Sequence, residues 1–159
     1  MNDIAAVGII RNSSRIILIK RKTSSRDPWS GQIALPGGHI ENGETIEEGL
    51  LREIMEEVNI ELSTESIVGE MEPASTIISP ELKVFPFILD HLDLEMAHPG
   101  PEISEIKIVN VYEYEENTTE RGLPALNYDG WYVWGMTYRI LSEYIRGNFK
   151  SYKKKYRSF

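Results

Sequence analysis

Apolar residues follow a strand-like spacing over much of the chain. Two segments rich in β-branched residues, AAVGIIRN (5–12) and SRIILIKRK (14–22), flank the turn-forming NSS and predict a β-hairpin. Further strands are predicted by the apolar runs at 33–36, 66–71, 76–79, 83–89 and 106–114. Pro86 lies inside one of these runs and predicts an edge strand or a bulge, because proline cannot donate a ladder hydrogen bond.

Helical spacing occurs in two segments. The first runs from Thr45 to Val58, and the second covers residues 130–147. Their predicted apolar faces hold Leu50, Leu51, Ile54 and Val58 in the first helix, and Trp134, Tyr138, Leu141 and Ile145 in the second. Because strands precede and separate the two helices, we expect an α/β (α+β) fold. Its mixed β-sheet would be sandwiched between helices in an α/β/α arrangement.

The domain organisation is simple. The 159 residues contain no internal repeat and no Gly/Ser-rich linker, so we expect a single domain over 1–149 and a basic tail over 150–159. The net charge of −8 argues against a duplex-DNA binder. The tail, KSYKKKYRSF, nevertheless holds five of the 17 basic residues. It could contact nucleic acid or anionic lipid, or it could be a solvated chain end.

Several classes of protein and of site are excluded by composition. The chain has no cysteine, which excludes disulfides, thiolate catalysis and cysteine-ligated metals. It begins without a signal-peptide pattern, and no apolar run reaches the roughly 20 residues of a membrane span. We therefore expect a cytoplasmic protein with no membrane partner. A homodimer is the assembly that we consider alongside the monomer.

The first predicted helix carries an unusual cluster of acids. Glu53, Glu56 and Glu57 fall within an arc of about 100° on the helical wheel, and Glu57 lies at the seam with the apolar face. Such carboxylates repel one another, and Arg52 can relieve only part of that repulsion. A hard divalent cation such as Mg²⁺ prefers clustered carboxylates and would offset it. The alternative is a solvated acidic face without a metal.

Residues 38–60 resemble the Nudix box, Gly-x5-Glu-x7-Arg-Glu-U-x-Glu-Glu-x-Gly-U, in which U is aliphatic. The matching residues are Gly38, Glu44, Arg52, Glu53, Ile54, Glu56, Glu57 and Ile60. Asn59 stands where the family has glycine. Asparagine is the commonest other residue to take the left-handed conformation wanted after a helix end, so the change is conservative.

The resemblance implies a metal-dependent hydrolase that cleaves a nucleoside diphosphate linked to another moiety. Glu53, Glu56 and Glu57 would be the catalytic residues and would bind Mg²⁺ or Mn²⁺, with the backbone at Gly38 bringing a carbonyl near the metal. In the same box, the loop and the helix each supply one member of a supporting ion pair. Glu44 would pair with Arg52 and orient the loop on the helix.

The segment IILIKRKTSSRDPWSGQIALPGG (16–38) partly resembles the stretch before the box in coenzyme A diphosphatases. Arg21, Arg26 and Gly31 match, but Leu35 replaces phenylalanine and one extra residue separates Arg26 from Gly31. WGMTYRIL (134–141) resembles part of that group's final helix. This favours a coenzyme A-like substrate, ahead of ADP-ribose or nucleotide sugars and then (d)NTPs. Arg21 and Arg26 would hold phosphate, or they are solvated strand ends.

An additional carboxylate is expected from HPGPEISEIKI (98–108), because Nudix enzymes often recruit one from this region. Glu102 or Glu105 could be that base or metal ligand, or both could be surface residues. Trp29 could stack on a base or anchor its loop on the core. Two other classes stay open, a Nudix-fold binding module without turnover and a nucleic-acid-processing enzyme that uses the basic tail.

Overall fold

A computed structural model describes residues 3–23, 32–76 and 79–153, which form two β-sheets and two α-helices. The large mixed sheet comprises β1 (Ile4–Asn12), β2 (Arg15–Arg21), β3 (Ile33–Ala34), β4 (Gly37–His39), β5 (Ile67–Glu70), β6 (Lys83–Asp90), β7 (Ile103–Asn110) and β11 (Lys150–Ser151). A second sheet comprises β8 (Glu115–Thr118), β9 (Pro124–Tyr128) and β10 (Trp131–Trp134). The helices are α1 (Ile46–Val58) and α2 (Gly135–Ile145).

The large sheet runs in the order β11-β5-β6-β1-β2-β3, with β4 paired to β1 and β7 paired to β2. The predicted hairpin of β1 and β2 is confirmed, and β1 also pairs in parallel with β6. Side chains of β2 alternate between two cores. Ile17 and Ile19 pack with α1 on one face, while Ile16 and Leu18 pack with α2, β9 and β10 on the other. The predicted α/β/α arrangement is confirmed, and the small sheet shares the layer of α2.

The first predicted helix is confirmed, and its ends are set by specific caps. Thr45 is the N-cap of α1 and forms a capping box with Glu48. Asn59 ends the helix in the left-handed conformation, with φ of 58°. No helix in the described part of the chain is long and apolar enough to cross a bilayer.

The prediction of one helix over 130–147 is wrong for its first part. Residues 131–134 form β10, which pairs with β9, and the helix begins only at Gly135, where φ is +66°. The aromatic and β-branched sequence WYVW suits a strand. Its partner β9, and the strand β8 that pairs with β9, were not predicted. Trp134 therefore lies in a strand and not on the helix face.

Of the two alternatives predicted from Pro86, the edge strand is wrong, whereas the pairing of β6 with β5 does shift register, between Ile67 and Gly69. β6 is an interior strand, and Pro86 pairs in register with Val7 of β1. Proline is tolerated because the β5 ladder has ended at the preceding pair, Glu70 with Phe87. The Pro86 carbonyl then accepts from the Met71 N–H at 3.0 Å. The predicted strand at 76–79 includes residues 77 and 78, which lie outside the described residues.

The start of the predicted basic tail belongs to the sheet. Lys150 and Ser151 form β11, which pairs with β5. The Tyr152 ring packs edge-on against Phe87, with 6.0 Å between centroids, and its hydroxyl donates to Glu47 of α1 at 2.5 Å. Residues 150–152 are therefore an integral part of the fold, while 154–159 lie outside the described residues.

Ending the chain at residue 149 is therefore expected to cost about 2 kcal/mol or more of unfolding free energy, because strand pairing, ring packing and a hydrogen bond are lost together. Ending it at 153 keeps all three contacts and is the matched control. Thermal melts of both chains make the comparison, with a deficit of about 4 °C or more expected for the shorter one. Equal melting temperatures would show that β11 and Tyr152 add nothing.

Candidate active site

The acidic face of α1 lies against the double glycine at β4. A Cβ at Gly38 would lie 2.6 Å from the Glu53 carboxyl carbon, so a side chain there would displace this carboxylate. At Gly37, φ is +150°, and a Cβ would lie 2.1 Å from the Ala6 carbonyl oxygen of β1. The two glycines therefore let backbone and carboxylates approach one another closely.

Glu57 is the most enclosed acid of the helix, with a relative exposure of only 5%. One carboxylate oxygen accepts from the Gly37 N–H at 2.8 Å, and the other accepts from the Arg21 guanidinium at 2.9 Å. Burial raises the pKa of the Glu57 carboxyl group above its ordinary value, although Arg21 and the Gly37 N–H oppose that rise. The predicted position at the seam of the two faces is confirmed.

Arg52 lies at the centre of the remaining carboxylates. Its Nε donates to Glu44 Oε2 at 2.6 Å and its Nη2 to Glu44 Oε1 at 3.0 Å, a two-pronged pair. Its Nη1 contacts Glu53 at 3.0 Å and Glu56 at 3.2 Å. The Arg52 hydrogen bond lowers the pKa of Glu44, so the pair is charged at neutral pH. The loop and the helix are thereby joined where the Nudix pattern implied.

Glu53 and Glu56 differ in their surroundings although they are one turn apart. Glu53 is half-buried against Gly38, and burial raises its pKa, while Arg52 opposes that rise. The Glu56 side chain is 56% exposed and contacts Arg52 alone among the described bonds. The three acids therefore form a gradient from enclosed to exposed along one edge of the cleft.

A cleft of about 220 Å³ lies beside these acids and is lined by Glu53, Glu56, Glu57, Pro101, Glu102 and Ile103. The structure separates the two predicted additional carboxylates. Glu102 lines the cleft, whereas Glu105 lies opposite Lys20 on β2, with 3.7 Å between their charged atoms. That lysine also lies 5.1 Å above the Trp131 ring, away from the acids.

The donor set of the cleft suits a hard divalent cation, because four carboxylates line one cleft and burial raises the pKa of two of them. Among residues 3–23, 32–76 and 79–153, however, no three potential ligand side chains lie close enough together to hold one ion. The carboxylates form ion pairs with arginines instead. Arg52 pairs with Glu53 and Glu56, and Arg21 pairs with Glu57. Metal binding would therefore require these ion pairs to loosen.

The predicted phosphate-binding arginines have different outcomes. Arg21 contacts the buried Glu57 and is engaged in an ion pair within the protein. Arg26 and Trp29 lie outside the described residues, so their roles stay predictions. Gly100 was missed by the sequence reasoning, although its N–H binds the Glu57 carbonyl at 3.0 Å. The signal that could have found it is the Pro-Gly-Pro sequence just before Glu102.

A larger depression of about 530 Å³ lies at the other end of β1 and is lined by residues 11–13 and 90–93. Arg11 there is paired with Asp90 at 2.8 Å and donates to the Tyr144 hydroxyl. These charges satisfy one another, and the depression contains no cluster of carboxylates. We therefore assign the candidate site to the smaller acidic cleft.

The chain is similar to known proteins over most of its length. A family model described as NUDIX domain matches residues 1–126. An ADP-ribose pyrophosphatase from Methanocaldococcus jannaschii is 39% identical over 148 residues, which are 90% of this chain and 73% of that protein. An 8-oxo-dGTP diphosphatase from Escherichia coli is 40% identical over 67 residues, 42% of this chain and 51% of that protein.

Among solved structures, a NUDIX hydrolase from Nitrosomonas europaea superposes with a TM-score of 0.65. The match covers 93% of this chain and 91% of that chain at 14% identity, so it supports the fold alone.

Proposed function

This chain belongs to the NUDIX domain family of hydrolases, and from that membership we propose that it cleaves the diphosphate of ADP-ribose or a related nucleoside diphosphate sugar. The relative from Methanocaldococcus jannaschii carries this proposal, because its likeness extends over 90% of the chain and well beyond the box. Hydrolysis of ADP-ribose would give AMP and ribose 5-phosphate, so each side of the broken anhydride keeps one phosphate.

The carboxylates of the cleft would hold Mg²⁺ or Mn²⁺. Glu53, Glu56 and Glu57 supply oxygen ligands from the helix, and the backbone at Gly38 lies against Glu53. Such an ion, when bound, lowers the pKa of a bound water and neutralises diphosphate charge. Arg52 would keep Glu53 and Glu56 oriented before binding, since it contacts both.

Glu102 is the carboxylate that we propose as the additional acid of the reaction. It lines the same cleft as the helix acids, and its backbone follows a loop that is hydrogen-bonded to the end of the helix. A carboxylate there can accept a proton from the attacking water or add an oxygen ligand. Glu105 is not proposed for this role, because it pairs with Lys20.

Coenzyme A takes second place as a substrate. Its support comes from the sequence resemblance at 16–38 and 134–141, and the relatives reported above are named for ADP-ribose and 8-oxo-dGTP. Of the matched arginines, Arg21 is held by Glu57 and Arg26 lies outside the described residues. Because the chain is assigned as an enzyme, we do not propose the alternative of a Nudix-fold binding module without turnover. A cytoplasmic location, a homodimer and a nucleic-acid role of the tail stay predictions from the sequence.

A substrate panel with products resolved by chromatography tests the proposal. With Mg²⁺ or Mn²⁺, kcat/KM for ADP-ribose is expected to exceed that for coenzyme A and for 8-oxo-dGTP by about tenfold or more, a selectivity of about 1.4 kcal/mol. The products should be AMP and ribose 5-phosphate. Release of 3′,5′-ADP and phosphopantetheine from coenzyme A, with ADP-ribose untouched, would reverse the order of the two substrates.

A further inference from the structure

Asn59 joins the end of α1 to the loop that carries Glu102. Its backbone is left-handed, with φ of 58°, and its side-chain Nδ2 donates to the His98 carbonyl at 2.8 Å. This is the position at which the chain departs from the glycine of the Nudix pattern. A glycine would accept the backbone conformation equally well, but it could not make the side-chain bond.

Backbone contacts extend the same joint. The His98 N–H donates to the Val58 carbonyl at 3.1 Å, and the Gly100 N–H donates to the Glu57 carbonyl at 3.0 Å. Both acceptors belong to the last turn of the helix, whose carbonyls have no partner inside the helix. A Cβ at Gly100 would lie only 1.8 Å from the Glu56 carbonyl oxygen, so the loop backbone lies directly on the helix.

Glu102 is held from the other side by the residue that follows β2. Its carbonyl accepts from the Lys22 N–H at 2.9 Å, and the Ile103 N–H donates to the Gly100 carbonyl at 3.1 Å. Residues 98–103 are thus bound to α1 at one end and to the large sheet at the other. Its one acidic side chain, Glu102, lines the cleft.

We infer that Asn59 is a positioning residue: its side chain fixes the 97–103 loop on α1 and so holds the Glu102 carboxylate in the cleft that Glu53 and Glu56 also line. The inference rests on the proposed function, since the position of Glu102 affects the rate only if this cleft cleaves a diphosphate. Asn59 itself lies at the helix end and acts through the loop, without contacting the substrate.

Two substitutions remove the side-chain bond and keep the backbone. Asn59→Gly takes the left-handed conformation freely, and Asn59→Asp is nearly isosteric but cannot donate to His98. Ser13→Gly is the matched control, because Ser13 has φ of 59° in the turn between β1 and β2. Both Asn59 variants should lower kcat by about three- to tenfold with KM little changed, as expected for a misplaced catalytic group. Ser13→Gly should leave kcat unchanged.

Coupling to Glu102 distinguishes positioning from a general loss of structure. In a Glu102→Gln background, adding Asn59→Gly should change kcat by less than about twofold, because the group that it positions is already disabled. An equal loss in both backgrounds would overturn the inference, as would full kcat in Asn59→Gly.

Amide hydrogen exchange supplies a readout that needs no substrate. The amides of His98 and Gly100 should exchange about tenfold faster in Asn59→Gly than in wild type, with no change in Ser13→Gly. Unchanged exchange would overturn the inference whichever substrate is cleaved. If exchange rises but ADP-ribose is not hydrolysed, only the proposed substrate fails, and the kinetic comparison is made with the panel member that is cleaved.

Discussion

Glu57→Gln is expected to lower kcat by about two orders of magnitude or more and to destabilise the metal-free protein by about 1–2 kcal/mol. The rate falls because the proposed oxygen ligand, which is buried, loses its charge. Stability falls because Glu57 accepts from both the Gly37 N–H and Arg21, and a glutamine amide offers only one acceptor oxygen. One of these two donors would then face the amide NH₂ group.

Glu56→Gln is the matched comparison, since it makes the same chemical change one residue earlier in the helix. Its side chain is 56% exposed and contacts Arg52 at 3.2 Å, so stability without metal should change by less than about 0.5 kcal/mol. Its kcat should nevertheless fall by about the same two orders of magnitude, because it is also a proposed ligand.

Rates at saturating Mg²⁺ and thermal melts with and without Mg²⁺ measure both effects. Wild type should gain melting temperature on adding Mg²⁺, and both variants should gain less. Normal turnover by both variants, or a wild type indifferent to Mg²⁺, would mean that these acids serve only as ion-pair partners of Arg21 and Arg52 and do not bind a metal.

The stability deficit of Glu57→Gln should shrink as the pH rises. Burial raises the pKa of Glu57 in the folded protein above the ordinary value of 4.5. The protonated carboxyl group therefore adds its full contribution to the free energy of unfolding below about pH 4.5. Wild type loses this contribution as the pH rises through the folded-state pKa. Glutamine does not titrate, so metal-free melts of both proteins from acid to neutral pH isolate this contribution. If the stability deficit of Glu57→Gln instead grew with pH, the pKa of Glu57 would be lowered in the folded protein and not raised.

Gly37→Ala is expected to cost about 3 kcal/mol or more of unfolding free energy. Two effects add at this residue. Its φ of +150° strains any side chain, and the new Cβ would lie 2.1 Å from the Ala6 carbonyl oxygen. That oxygen belongs to the backbone of β1 in the interior of the large sheet, so it cannot move aside without disturbing the sheet.

Gly43→Ala separates these two effects. Gly43 also has a positive φ, +89°, but a Cβ there would meet nothing within 4 Å. It should therefore cost only about 1 kcal/mol, the backbone contribution alone. Denaturant unfolding of both variants gives the two free energies directly. Equal costs would mean that β4 can withdraw from β1 more easily than the structure indicates.

The acidic helix was predictable because its geometry is local. Residues three and four apart share a helix face in any fold, so the arc of Glu53, Glu56 and Glu57 followed from spacing alone. The resemblance to the Nudix box indicated that Glu44 would pair with Arg52. The boundary at Gly135 was not predictable in this way. The segment 131–134 carries apolar residues that suit either a strand or a helix, and its pairing with β9 decided the outcome.

The sequence by itself determined the hairpin of β1 and β2, the first helix with its end at Asn59, the family, and which acids are clustered. The tertiary structure alone decided that Arg21 pairs with Glu57 and that Glu102 rather than Glu105 lines the cleft. The physical reason is strand register. The pairing of β2 with β7 sets Lys20 opposite Glu105, and alternate side chains on a strand point to opposite faces of the sheet.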